Sequence, residues 1–127
     1  MNYKISYLDA AGSLVVKADG RMNADDYISM AKDLLKHPRC LAGINVIFEH
    51  TGLEFAGVSA DDLQKIRAFH MQNEERIGNG KSAIVVKAGM SLEWHKLWSS
   101  GEKIKTANIV RVFENYEDAL KWIKEPA

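Results

Sequence analysis

The segment INVIFEHTG, at residues 44–52, decides how the chain folds. Its first five residues form an apolar run short enough for a strand that is buried on both faces of a sheet. The polar and flexible residues 49–52 are predicted to end that strand, and residues 53–58 to form a loop. Ser59 then has the chemistry of a helix N-cap, because Asp61 and Asp62 lie in the first turn, where the helix dipole favours negative charge. The helix is predicted to run toward Gly78, and such a strand–loop–helix junction is a usual place for a site in α/β proteins.

The residues before this segment predict a hairpin followed by a helix. Residues 3–8 alternate apolar and polar side chains, as an edge strand with one solvated face does, and residues 14–18 form its antiparallel partner. Gly20 is predicted to end that second strand. Asn23 then caps an amphipathic helix that Pro38 stops. The apolar face of this helix consists of Ala24, Tyr27, Ile28, Ala31, Leu34 and Leu35. A strand, a helix and a strand in this order predict a parallel pair.

The residues after the segment repeat the alternation of strands and helices. Residues 82–86 read as another buried strand and residues 109–113 as the last one. Ser91 is predicted to cap a third helix and Asn115 a final one. One face of the third helix carries Met90, Trp94, Leu97 and Trp98. The sequence therefore predicts a single α/β domain over residues 1–127, with a five-stranded, mixed and mostly parallel sheet and about four helices.

Composition excludes several classes of function. Basic and acidic residues number 17 each, so the net charge is zero, whereas nucleic-acid binding needs a basic excess. Zero net charge also removes repulsion between copies and favours self-association. Cys40 is the one cysteine, which excludes an intramolecular disulfide and fits a reducing compartment. The N-terminus lacks the apolar core of a signal peptide, and no apolar run approaches the ~20 residues of a membrane span. We therefore expect a cytoplasmic protein with no integral membrane segment.

Five motifs spread over nearly the whole chain carry a resemblance to a known family. They are GRMNADD at 20–26, LLKHP at 34–38, GKSAIV at 80–85, VRVF at 110–113 and ALKWI at 119–123. With these motifs the chain resembles the SpoIIAA-like family of small bacterial proteins, which are also called STAS/SEC14-like. The resemblance implies a STAS-type fold and, because most of that family has no known function, little about activity. The anti-sigma-factor antagonists of this fold carry Asp-Ser-Ser, with a phosphorylated serine, where this chain has Gly57, Val58 and Ser59. The loss of the aspartate and the first serine argues against phosphorylation switching.

The polar candidate residues favour structural roles. Ser59 is a candidate regulatory phosphosite, but a plain N-cap is the favoured interpretation, because Asp61 and Asp62 would oppose a phosphate. Glu49 and His50 could form an acid–base pair, although no nucleophile accompanies them and a solvated strand end is favoured. The four histidines lack the spacing of a zinc site. Cys40 could be a reactive thiol with Arg39 lowering its pKa, but half-buried packing is favoured. We therefore predict no catalytic, metal or cofactor site, and no enzyme.

Large apolar residues exceed what two flanking helices need for packing. Two explanations stay open: they form core, or part of their surface waits for a partner or an apolar ligand. The first predicted function is a non-enzymatic, STAS-like regulatory or protein-interaction module, expected to be a homodimer. The alternative is a binding module for a small apolar or lipid-like ligand between the second and third helices. The candidate ligand or interface residues are Phe55, Phe69, His70, Met90, Trp94, Leu97 and Trp98, with Leu53 and Met71 nearby in the same apolar set.

Overall fold

The computed structural model describes residues 1–55, 57–89 and 108–126, which contain five strands and four helices. The strands are β1 (Asn2–Leu8), β2 (Ser13–Arg21), β3 (Val46–Glu54), β4 (Lys81–Val85) and β5 (Ile109–Phe113). The helices are α1 (Ala24–Lys36), α2 (Ala60–Gln72), the single turn α3 (Glu74–Ile77) and α4 (Tyr116–Lys124), and a 3-10 turn at Asp9–Ala11 joins β1 to β2. The third helix predicted from Ser91 lies outside the described residues.

The five strands form one sheet in the order β1-β2-β3-β4-β5. β1 pairs with β2 in antiparallel fashion, and the other three pairs are parallel. The sheet is therefore mixed and mostly parallel, with β3 and β4 in its interior, as the sequence predicts. Parallel strands need crossover connections, and helices supply them between β2 and β3 and between β3 and β4.

Strand alternation divides the core between the two faces of the sheet. On one face, even-numbered residues of the central strands pack with α1 and α2 in a cluster that includes Leu14, Val16, Met30, Val46, Ile66 and Ile84. On the other face, odd-numbered residues pack with α4 in a smaller cluster of Ile47, Ala83, Val85, Ala119 and Ile123. The period of two along each strand produces this division. As a result, α1 and α2 lie on the same side of the sheet.

Two strands extend further than the sequence predicts. β3 does not end at Phe48 but continues through His50 to Glu54, so the first two residues of the predicted loop at 53–58 belong to the strand. β2 does not end before Gly20 but continues to Arg21. A register shift between Lys17 and Asp19 lets the two strands resume pairing beyond the irregularity. Pairing between β2 and β3 therefore outweighs the local turn signals. The residue pattern of one strand alone does not reveal this pairing.

The starts of the helices and the end of α1 follow the predicted caps, whereas the helix predicted to run toward Gly78 ends at Gln72, before the separate turn α3. The Asn23 side chain accepts a hydrogen bond from the Asp26 backbone N–H at 2.9 Å, and α1 ends at Lys36, just before His37 and Pro38. At α4, the Asn115 side chain accepts hydrogen bonds from the first-turn backbone. These caps satisfy donors that a helix start otherwise leaves unpaired, and they fix where α1 and α4 begin relative to the sheet.

Candidate functional site

A cavity of about 330 Å³ lies between the sheet and the helices α1 and α2. Such a volume falls within the range of ordinary small-ligand sites, about 300–1,000 Å³. The strands β3, β4 and β5 form its floor with Val46, Phe48, Ser82, Ile84, Val110 and Val112. The helix α1 forms one wall with Tyr27, Ile28, Ala31, Leu34 and Leu35, and α2 forms another with Ile66, Arg67, Phe69 and His70.

The sequence periodicities explain why this cavity is mostly apolar. Alternate residues of three neighbouring strands point to the same face, so each strand contributes two side chains to the floor. The spacing of apolar residues along α1 follows the helical period, which directs a whole stripe toward the sheet. The cavity therefore lies where the apolar faces of two helices and a sheet meet, which is a common setting for ligand binding.

A small number of polar groups interrupt the apolar lining. Ser82 Oγ donates to Asn108 Oδ1 at 3.0 Å, and Asn108 Nδ2 donates to the Gly80 carbonyl at 2.8 Å. This buried chain links the start of β4 to the residue before β5. Tyr27 is buried, and burial raises the pKa of its hydroxyl above the ordinary value. Arg67 is 6% exposed and brings its guanidinium group to the cavity wall.

His70 has a hydrogen-bonding atom that its neighbours leave unused. Within the described part of the chain, the buried Nε2 of this side chain has no hydrogen-bond partner. Burial lowers the pKa of His70, and the carboxylate of Glu74 partly opposes that effect. The imidazole is therefore held toward its neutral form at the cavity wall. A buried nitrogen without a partner is costly, and a polar group on a bound ligand would satisfy it.

His50 is not part of a solvated strand end, contrary to the sequence-based interpretation. It is 1% exposed and lies within β3, where its ring centroid is 5.6 Å from that of Tyr27 and 5.5 Å from that of Phe48. Burial lowers the pKa of His50 to about 3. The carboxylate of Glu49 instead accepts hydrogen bonds from the backbone and hydroxyl of Thr51. The two residues therefore do not form an acid–base pair.

Cys40 lies half-buried at the cavity wall, as packing predicts. Burial raises the pKa of its thiol, and the nearby cation that partly opposes this effect is Arg76. Arg39 is directed elsewhere, with its guanidinium carbon 4.6 Å from the centroid of the Tyr7 ring. The proposed activation of the thiol by Arg39 is therefore wrong, and the raised pKa disfavours the reactive thiolate.

Ser59 is the N-cap of α2 and forms a complete capping box with Asp62. The Ser59 hydroxyl accepts a hydrogen bond from the Asp62 backbone N–H at 3.1 Å, and the Asp62 carboxylate accepts one from the Ser59 backbone N–H at 3.0 Å. The hydrogen bonds that the Asp62 carboxylate accepts from the Ser59 backbone N–H and hydroxyl lower the pKa of Asp62. The cap is present as the sequence predicts, whereas phosphorylation of Ser59 stays an open prediction.

The other candidate residues separate into three groups. Phe69 and His70 line the cavity. Phe55 is half-buried and packs against the core on the α1–α2 side of the sheet. Met90, Trp94, Leu97 and Trp98 lie outside the described residues, so their roles stay predictions. Arg67 is not among the residues predicted from the sequence, although Leu63, Ile66, Arg67 and His70 follow the i, i+3, i+4, i+7 spacing of one helix face.

Within residues 1–55, 57–89 and 108–126, no group of three or more His, Cys, Asp or Glu side chains is arranged to hold a metal ion. None of the helices in these ranges combines the length and the apolar character that crossing a membrane requires.

The strand order and helix placement define a SpoIIAA-like fold. Among solved structures, the chain is similar to the crystal structure of an uncharacterized protein of the DUF3478 family with a SpoIIAA-like fold from Shewanella loihica PV-4. The two share 20% sequence identity with a TM-score of 0.62, over 96% of this chain and 92% of the other. Identity at this level establishes the shared fold alone. No protein-family model matches the sequence, and no curated protein matches it either.

Proposed function

We propose that this protein is a non-enzymatic binding module that holds a small apolar molecule in the cavity between α1, α2 and the sheet. The observation that carries the proposal is the cavity itself, which has a volume of about 330 Å³ and a largely apolar lining. A protein interior normally closes such a space, because voids forfeit packing contacts. The sequence-based alternative places the ligand between the second and third helices. In the described part of the chain α1 forms a wall beside α2, and the predicted third helix lies outside the described residues.

The polar groups of the lining support binding more than they support catalysis. The Ser82 and Asn108 side chains are hydrogen-bonded to each other, and His70 is held toward its neutral form. Acid–base catalysis at neutral pH works best with a pKa near the operating pH, and the lowered pKa of His70 moves away from it. An unused nitrogen at an apolar wall suits orientation of a bound molecule, which is how a few polar groups act in apolar ligand sites.

A test is binding of N-phenyl-1-naphthylamine, a neutral dye that fluoresces in apolar surroundings. We expect the wild-type protein to bind it with saturation. Ala31→Phe places a ring into the cavity from α1 and should weaken binding by about tenfold or more, because the dye then loses apolar contact area. The measurement is a fluorescence titration, with a thermal melt to confirm that the variant is folded.

A matched control is Ala60→Phe, which adds the same ring at an exposed helical position of α2. It should bind the dye as the wild type does. Absence of saturable binding to wild-type protein would contradict the proposal. Equal binding by Ala31→Phe and Ala60→Phe would place the dye elsewhere and would contradict it too.

A protein-interaction module is the second candidate function. It is supported by β5, which stands at the end of the described strand order and exposes Ile109 and Val110 to 56% and 50%. An edge strand with exposed apolar side chains is a template for pairing with another chain. The zero net charge of the protein would not oppose self-association. Sedimentation of variants at this edge tests the idea.

A further inference from the structure

A groove lies between α1 and α2 outside the cavity. Its described lining contains four cationic side chains, namely Lys32 and Lys36 of α1, Lys65 of α2 and Arg76 of α3. None of the described residues that line the groove is acidic. The groove is therefore locally positive although basic and acidic residues balance over the whole chain.

The groove and the cavity are neighbours. Ile28, Leu35 and Phe69 line both of them. The apolar space and the cationic surface therefore adjoin at these three side chains, at the seam between α1 and α2. A molecule whose tail occupies the cavity and whose head passes this seam reaches the groove.

The lysines of the groove are available to an incoming charge. Lys32, Lys36 and Lys65 are exposed, and none of the three has an ion pair or a hydrogen bond within the described ranges. Arg76 differs, because its Nη2 donates to the Leu35 carbonyl at 2.9 Å and ties α3 to the last turn of α1. Its role at the seam is thus partly structural, and the three lysines are the groups that can respond to a ligand.

Asp62 is an acidic neighbour of Lys65. Asp62 lies one helical turn before Lys65, which contributes to lowering the pKa of that carboxyl group. The Asp62 carboxylate accepts hydrogen bonds from the backbone and hydroxyl of Ser59 at the start of α2. It does not line the groove. The described residues that line the groove therefore remain without a carboxylate.

We propose that the ligand is an anionic amphiphile, a free molecule with one apolar tail and a carboxylate or phosphate head. Its tail fills the cavity, and its head is held at the groove by Lys32, Lys36 and Lys65. This inference rests on the proposed apolar-ligand function and adds the charge of the ligand and the place of its head. Ammonium groups attract such heads as point charges, and several weak exposed pairs together give selectivity that one pair cannot.

The test compares decanoate with 1-decanol, which have the same tail length and differ in head charge, as competitors of N-phenyl-1-naphthylamine on the full chain. We expect decanoate to displace the dye about tenfold more effectively than decanol at low salt. This preference should shrink between about 0.05 and 0.5 M NaCl, because salt screens exposed charges. Lys32→Gln/Lys65→Gln should abolish most of the preference and leave dye binding unchanged.

A matched control is Lys121→Gln/Lys124→Gln, which removes two exposed lysines from α4 on the opposite face of the sheet. It should keep the full preference for decanoate. If decanoate and decanol compete equally while the dye binds, the charge assignment is overturned and the apolar-ligand function stands. If wild-type protein does not bind the dye, the apolar-ligand function itself fails.

Two further outcomes separate the sources of an anionic head. A preference that survives Lys32→Gln/Lys65→Gln but is lost in Arg67→Gln places the head inside the cavity and overturns the assignment to the groove. Binding to phosphatidylglycerol vesicles that needs Lys32 and Lys65, without preference for decanoate, assigns the groove to a membrane surface and also overturns the proposal. Retention of the preference in the control and its loss in Lys32→Gln/Lys65→Gln supports it.

Discussion

His50 shows how a single buried side chain can make stability depend on pH. Its ring lies between Tyr27 and Phe48, and burial lowers its pKa from 6.5 to about 3. Between these two values, the unfolded chain binds a proton that the folded chain does not. Lowering the pH through this window therefore favours unfolding. Above about pH 6.5 His50 is neutral in both the folded and the unfolded chain, and its full contribution to the stability of the folded protein is retained. His70 acts with the same sign, because burial lowers its pKa as well.

We predict that His50→Phe will flatten the pH dependence of stability. The free energy of unfolding of the wild type should fall as the pH decreases from about 6.5 toward 4, and removal of His50 should reduce that slope by about 1 kcal/mol per pH unit. Urea denaturation at several pH values measures how the free energy of unfolding depends on pH. Phe48→Leu is the control, since it alters the same packing without removing a titrating group. Equal slopes for wild type and His50→Phe would contradict the prediction.

The start of α2 makes a prediction at the scale of one element. Ser59→Ala removes the hydroxyl that accepts from the Asp62 backbone, and we expect a loss of about 1 kcal/mol in the free energy of unfolding. Ser59→Asp should be tolerated, because aspartate is also a good N-cap. Thermal or urea denaturation measures both, with Asn115→Ala at α4 as a second cap for comparison. Stoichiometric phosphate on Ser59 in protein from its native cell would show that the residue is more than a cap.

The strands β2 and β3 show why element boundaries were harder to predict than element types. Gly20 and the polar residues 49–52 are ordinary turn signals, yet both strands continue past them. They do so because residues after the register shift find new partners, with Gly20 opposite Leu53. Helix starts were predicted correctly at Asn23, Ser59 and Asn115, because a cap is a local interaction between residues close in sequence. Pairing register depends on a second strand and is not local.

At the scale of the whole molecule, the sequence predicts the apolar character of the cavity lining but not the volume of the cavity. The helical period directs Phe69 and His70 inward, and the alternation of β3 and β4 makes the floor apolar. How much space remains between two helices and a sheet depends on how closely they pack, which the patterns do not state. Arg67 was missed for a related reason, because a charged residue is normally assigned to the solvent-facing side of a helix. Its burial at 6% exposure results from the position of α2 on the sheet.

Self-association stays a prediction, and it is the one that concerns the whole molecule. The zero net charge, the apolar Trp94 face predicted from the sequence and the exposed Ile109 at the edge of the described sheet all favour a homodimer. We expect sedimentation equilibrium to give twice the chain mass of 14.2 kDa. Trp94→Ala or Ile109→Lys should shift the mass toward one chain while far-UV circular dichroism is kept, because each removes apolar contact area from the interface.

The matched control for this experiment is Trp122→Ala. The Trp122 ring packs within the chain, with its centroid 5.6 Å from that of Phe113 and 5.3 Å from the Lys81 ammonium. Its loss should lower the melting temperature, since the contacts between α4 and the sheet weaken, but should leave the sedimenting mass unchanged. If Trp94→Ala behaves like this control, then Trp94 belongs to the interior of one chain. A wild-type protein that sediments as a single chain at high micromolar concentration excludes the dimer altogether, and the apolar surface at the β5 edge would then need another partner.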